Sequence, residues 1–260
     1  VAPSDKTWEL ASDRVWTVPA DGGEPRRIGP AFDGDISAYF WTPDGASIVV
    51  GGMRRARSGV YQIDASAGTV RTILEGDWNG TMESMTRDRT IGAVVSSTPD
   101  KPGNVAIIDA RRGAARPITN ANPHASALET AQFKAITWKS KDGLDIEGML
   151  WLPAGYRSGT KLPLLLSIHG GPAGVWTTAF RGINHVYTSL GWAVLEPNVR
   201  GSSSYGDALL RGPLGRLLAR LGGVTTKRRI PAFAPGYVLR RGLRDARTGG
   251  FMEFDAAVRQ

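Results

Sequence analysis

The stretch Lys161-Leu162-Pro163-Leu164-Leu165-Leu166-Ser167-Ile168-His169-Gly170-Gly171-Pro172 decides the fold. A short apolar run opened by a proline and closed by two glycines reads as a strand, 162–168, buried on both faces as in a parallel sheet covered by helices. The glycine pair lets the backbone turn sharply with no Cβ in the way, so main-chain N–H groups point outward at the carboxyl edge of the sheet. That edge is where open α/β sheets bind ligands.

The flanking sequence supports an α/β pattern. Residues 133–139 alternate apolar and polar, Asp142-Gly143 turns the chain, and residues 144–153 alternate back. This predicts an antiparallel hairpin whose strands each show one face to the core and one to water. After the central run come a helix near 184–190 and a strand over 192–197, the order of an α/β layer.

Upstream, the chain repeats itself. Val15-Trp16-Thr17-Val18 with Ile28, Val60-Tyr61-Gln62-Ile63 with Ile73, and Val105-Ala106-Ile107-Ile108 with Ile118 recur at a spacing of 45 residues. Each copy is strand, small polar turn, strand, with turns at Asp21-Gly22-Gly23, Ala65-Ser66-Ala67-Gly68 and Arg111-Arg112-Gly113. Between copies lies another strand pair, around 40–50 and again around 85–95. Such a period with about four short strands predicts β-propeller blades; the competing β-sandwich has no fixed internal period. Three blades do not close a ring, and an open array leaves unpaired edges, so further blades are expected upstream of Val1.

A second motif follows the turn by about thirty residues: Trp192-Ala193-Val194-Leu195-Glu196-Pro197-Asn198-Val199-Arg200-Gly201-Ser202-Ser203-Ser204-Tyr205-Gly206. Together with His169-Gly170-Gly171-Pro172 it resembles the start of the hydrolase domain of the prolyl oligopeptidase family, in its acylaminoacyl-peptidase-like and dipeptidyl-peptidase-like branch. The resemblance implies a partial β-propeller over 1–128, with about three repeats, followed by the N-terminal part of an α/β-hydrolase domain over 129–212. It implies a serine peptidase that cleaves peptide or acyl-peptide bonds of short peptides through an acyl-enzyme, with no cofactor. In the family the H-G-G-P turn supplies the oxyanion hole, which maps onto Gly171 with Gly170 beside it. Losing one such donor costs about 2.7–4 kcal/mol of barrier. An esterase uses the same turn, and a non-catalytic propeller binding module is the alternative from another class.

The chain has three histidines. His124 sits in a polar loop and reads as solvated, His169 as orienting the oxyanion turn by hydrogen bonding, and His185 as a helix-surface residue. None has metal-ligand spacing, so no metal is assigned. Arg200 reads either as a substrate-binding cation or as an ion pair pinning the loop after the strand. Ser202, Ser203 and Ser204 do not have G-x-S-x-G spacing and read as turn formers.

The last fifty residues break the pattern. Residues 1–210 hold 21 bases and 21 acids, whereas 211–260 hold 11 and 3, so the whole net charge of +8 lies in the tail. The body is neutral, which argues against a nucleic-acid or membrane partner. No G-x-S-x-G, no acid and no histidine follow in the places a serine hydrolase of this fold requires, so the chain as it stands is expected to be inactive. Gly249-Gly250-Phe251-Met252 resembles the residues after the family's nucleophile, which puts Arg247 at the nucleophile position. Residues 213–260 are therefore an anomalous basic tail, and 213–248 reads as a shifted-frame translation of a normal hydrolase gene. The competing reading is a short basic amphipathic helix formed by Leu214, Leu217, Leu218 and Leu221, able to touch a membrane or polyanion.

The chain has no cysteine, which excludes disulfides and fits a reducing compartment, and its apolar runs are shorter than a membrane span. A cytoplasmic location is expected, with secretion or a periplasmic location left open because the chain starts on Val1. Oligomeric state is left unassigned.

Overall fold

The structure, a computed structural model, describes residues 2–3, 11–170 and 173–213 of the 260-residue chain. Three antiparallel sheets come first. Strands β1 (Ala2–Pro3), β2 (Asp13–Thr17) and β3 (Arg26–Ile28) form one; β4 (Asp35–Trp41), β5 (Ser47–Arg54), β6 (Arg57–Asp64) and β7 (Val70–Glu75) form a four-stranded meander. Strands β8 (Asn79–Met85), β9 (Ile91–Thr98), β10 (Lys101–Asp109) and β11 (Ala114–Pro117) form a second meander of the same order.

The 45-residue repeat maps onto equivalent strands of successive sheets. Val15, Val60 and Val105 lie in β2, β6 and β10, and each pairs with the strand that follows. The turn chemistry repeats with them. Asp64 accepts the N–H groups of Ser66 and Ala67 at 2.9 and 2.7 Å, and Asp109 accepts those of Arg111 and Arg112 at 3.0 and 3.1 Å. Gly68 and Gly113 then take the left-handed conformation that closes each turn, at φ +69° and +62°.

Strand alternation builds the core between sheets. Ile48 and Val50 face Val15, Ile28, Phe32 and Ile36, whereas Val49 and Val60 face Met82, Val94, Ala106 and Ile108. The middle sheet is thus buried on both faces, as stacked blades require. Among the described residues these sheets form no closed propeller.

The fourth sheet contains β12 (Gln132–Lys139), β13 (Asp145–Leu152), β14 (Leu164–Leu166) and β15 (Ala193–Asn198), ordered β12-β13-β15-β14. Only β14 and β15 run parallel. Helix α1 (Gly182–Ser189) connects them, and the single turn α2 (Asp207–Leu210) follows β15.

Two strand expectations change. The hairpin was expected to show water on one face of each strand, but every residue of β13 after Asp145 is buried. Its position between β12 and β15 explains this: Met149 and Trp151 pack toward Ala56, Val194, Trp176 and Tyr187, while Leu150 and Leu152 pack toward Ala193, Leu162 and Leu164. Each such side chain contributes about 1.5–3 kcal/mol by burial. Conversely, the run 162–168 was expected to be buried on both faces, yet β14 spans three residues at the sheet edge, with Leu166 53% exposed. It has one neighbour, β15, among the described residues.

The blade-like sheets meet the fourth sheet through the β5–β6 turn. Arg55 adopts φ +55° there and donates its N–H to Ser204 O, and the carbonyl of fully buried Ala56 accepts from Thr178 N at 3.0 Å. A second seam joins α2 to β2: Asp207 accepts Ser12 N–H at 3.1 Å and lies 3.6 Å from buried Arg14. Among the described residues no helix is long and apolar enough to cross a membrane.

Candidate functional site

The carboxyl ends of β14 and β15 bring two loops together. His169 belongs to the first, and its Nε2 lies 2.8 Å from Ser202 Oγ in the second. Ser203 N–H donates to Gly174 O at 3.1 Å, which ties the loops again. Gly174 sits so close that a Cβ would fall 2.6 Å from Gly170 O and 2.7 Å from His169 Nδ1. Gly170 is exposed, and its carbonyl lies 3.0 Å from His169 Nδ1. Gly171 and Arg247, the expected oxyanion donor and the nucleophile position, lie outside the described residues.

Ser202 next to His169 looks like a nucleophile with its base, but the hydrogen-bond directions oppose that role. Ser202 Oγ also lies 2.6 Å from Val199 O, which only accepts, so the single hydroxyl hydrogen goes there. With its hydrogen on Val199 O, Ser202 has none to give to His169 Nε2, as a nucleophile paired with its base would. Ser202 is also fully buried.

Arg200 pairs with Asp142 in the β12–β13 turn, and a Cβ placed on Gly212 would meet its side chain at 3.4 Å. His124 is exposed in a 3-10 helix, Pro123–Ala127. His185 differs from a helix-surface residue. Its Nδ1 accepts Ala131 N–H at 3.0 Å, Nε2 faces Pro99 O at 3.0 Å, and Phe180 stacks on the ring at 4.7 Å. Burial pushes its pKa below the ordinary value, against the opposing pull of Pro99 O and Asp100. Local sequence carries no sign of this, because the partners lie 54 and 86 positions away.

A cavity of about 720 Å³ separates the blade-like sheets from these loops. Asp35, Ser37, Asn79 and Ser96 line it from the sheets, and Ala173, Phe180 and Ser203 from the loops. Asp13 and Asp35 are its charged lining residues; Asp35 accepts Ser204 Oγ–H at 2.8 Å.

Beneath the loops runs a buried polar network that the sequence did not disclose. Glu147 of β13, 7% exposed, binds Arg57 of β6 at 2.8 Å and accepts Tyr205 O–H at 2.5 Å. Asn198 donates to Tyr205 Oη at 2.8 Å and clamps the N–H and C=O of Trp176 at 2.7 and 2.8 Å. Burial, with Glu147 as the next cause, pushes the Tyr205 phenol far up, so it stays protonated. Nearby, fully buried Glu196 accepts Trp151 Nε1–H at 2.9 Å. Arg181 lies 2.9 Å from the other oxygen of Glu196 as an ion pair, off the line of a hydrogen bond.

No protein-family model matches the chain. Among curated proteins it is 27% identical over 209 residues to the acylamino-acid-releasing enzyme of Sus scrofa, covering 73% of this chain and 28% of that protein. It is 26% identical over 226 residues to a probable dipeptidyl-peptidase 5 of Aspergillus clavatus, covering 79% and 29%. The chain thus spans less than a third of the relatives it matches. Among solved structures, acylaminoacyl peptidase of Pyrococcus horikoshii shares the fold, with a TM-score of 0.65 at 22% identity over 84% of this chain and 32% of that one. The loops joined by His169 and Ser202, the stacked four-stranded sheets and these relatives agree: the chain is similar to part of the acylamino-acid-releasing enzymes and dipeptidyl-peptidases and shares the fold of acylaminoacyl peptidase.

Proposed function

We propose that this chain carries the oxyanion side of a serine peptidase that hydrolyses peptide or acyl-peptide bonds of short peptides through an acyl-enzyme. The observation that carries the reading is the 720 Å³ cavity, walled by blade strands on one side and by Ala173 and Ser203 on the other. Residues 1–128 serve as propeller blades that limit access, and 129–212 open the hydrolase domain. The Gly171 N–H acts as an oxyanion donor, with Gly170 shaping the turn and His169 holding it through Ser202. A donor at that place stabilises the charge that develops on the scissile carbonyl. Arg200 serves as an anchor for the loop through Asp142.

The chain as it stands carries out no acyl transfer, because Arg247 occupies the position where the nucleophile belongs. Fluorophosphonate reagents leave it unlabelled, Ser202 included. The DNA across residues 213–248, read in the displaced frame, encodes an acidic helix and a G-x-S-x-G, and the re-encoded protein takes the label. Absence of that motif from every frame overturns the reading of the tail. Failure of short peptides to perturb the amide signals of Ser96, Ala173 or Ser203 overturns the assignment of the cavity.

A further inference from the structure

We propose that Tyr205 and Asn198 are positioning residues: they join Arg57 on the blade strand β6 to the segment 167–169 after β14, so that blade docking sets where His169 stands. The inference rests on the peptidase reading for the meaning of the turn, but the coupling is a separate physical claim.

Every bond in the chain has a fixed direction. Arg57 donates to one oxygen of Glu147 at 2.8 Å, and Tyr205 donates its only hydrogen to the other at 2.5 Å. The Tyr205 oxygen can then only accept, and it does so from Asn198 Nδ2 at 2.8 Å. The second Nδ2 hydrogen goes to Trp176 O at 2.8 Å, and Asn198 Oδ1 accepts Trp176 N–H at 2.7 Å. Trp176 in turn donates its indole N–H to Ser167 O at 3.0 Å, and its ring meets His169 edge-on at 6.1 Å. Asn198 is fully buried and Glu147 nearly so, hence these two groups cannot exchange their partners for water at low cost. The path leads without a gap from a blade side chain to the two residues flanking Ile168.

This geometry gives the loop its reference point. Oxyanion donors must sit within about 0.5 Å of their productive place, and a 1 Å error costs about 100-fold in rate. Gly170 supplies no side chain to hold the segment. The Asn198 clamp on Trp176 does so through Ser167 and His169, and its orientation is fixed by Tyr205, Glu147 and finally Arg57.

The test follows the Trp176 indole N–H by NMR in the 260-residue chain, with the signal assigned through Trp176→Phe. Arg57→Ala, at the blade end, shifts that signal and the Trp176 backbone amide and speeds their hydrogen exchange roughly tenfold. Arg57→Lys, which keeps a cationic donor, restores most of the protection. Asp77→Ala removes the other carboxylate on Arg57, at 2.7 Å, and leaves Trp176 unchanged. Tyr205→Phe reproduces the Arg57→Ala pattern. If Arg57→Ala leaves Trp176 untouched, or if Lys does not rescue it, the coupling is refuted. Those outcomes are independent of peptide binding to the cavity, whose failure would remove the peptidase reading instead.

Discussion

Gly174 shows how one residue constrains the candidate site. A methyl group there would press on Gly170 O at 2.6 Å and on the His169 ring at 2.7 Å, and the first is backbone that cannot swing aside. Gly174→Ala therefore displaces His169 and Gly170, with a cost of about 1–3 kcal/mol in chemical denaturation and altered His169 ring signals. An unchanged His169 spectrum would contradict the close approach. Tyr205 tests the network at the same scale. Tyr205→Phe removes a hydroxyl that gives one hydrogen bond and receives another, leaving a buried amide hydrogen and a carboxylate oxygen short of a partner. The expected loss is about 1–3 kcal/mol, measured by urea unfolding. The sequence presents Tyr205 and Asn198 plainly within the second motif. It does not present Glu147 or Arg57 as their partners, since each is a charged residue on an alternating strand that reads as solvent-facing.

At the scale of elements, helix α1 is fastened by His185 to the segment before β12 and to the β9–β10 turn. The Nδ1 atom accepts Ala131 N–H and so must be unprotonated, which agrees with the downward shift from burial. Because the folded pKa is lowered, this stabilisation is complete above the unfolded value near 6.5 and is lost as pH falls through the folded value. Wild type is accordingly more stable than His185→Ala at pH 8, and the gap narrows as the pH is lowered below about 6.5. A gap constant across that range in paired thermal melts would contradict the role of His185. Elsewhere the elements were legible to different degrees. Hairpin β12–β13, strand β15 and the repeated strand pairs follow from alternation and turn residues. The burial of β13 on both faces and the single partner strand of β14 among the described residues depend on strand order, which local periodicity does not encode.

For the whole molecule, the insertion of the β5–β6 turn into the fourth sheet is the main joint. Ala56 is fully buried beside Met149, Trp151 and Val194, so Ala56→Phe overpacks the seam and costs about 1–3 kcal/mol. Calorimetry is expected to show the blade-like sheets and the fourth sheet unfolding further apart in temperature in this variant than in wild type. Coincident, unshifted transitions would show that the joint carries little of the stability. The sequence by itself determined the repeat of strand pairs, the α/β alternation, the glycine turn after the apolar run and the charge break near residue 211. All of these are set by local backbone preference, side-chain periodicity or simple composition. Only the tertiary structure decided that Arg57, Glu147, Tyr205, Asn198 and Trp176 form one hydrogen-bonded chain, that His185 is a clasp, and that a cavity opens between sheets and loops. These depend on which distant segments pack together, and a polar side chain shows its role only when burial leaves it a single set of partners.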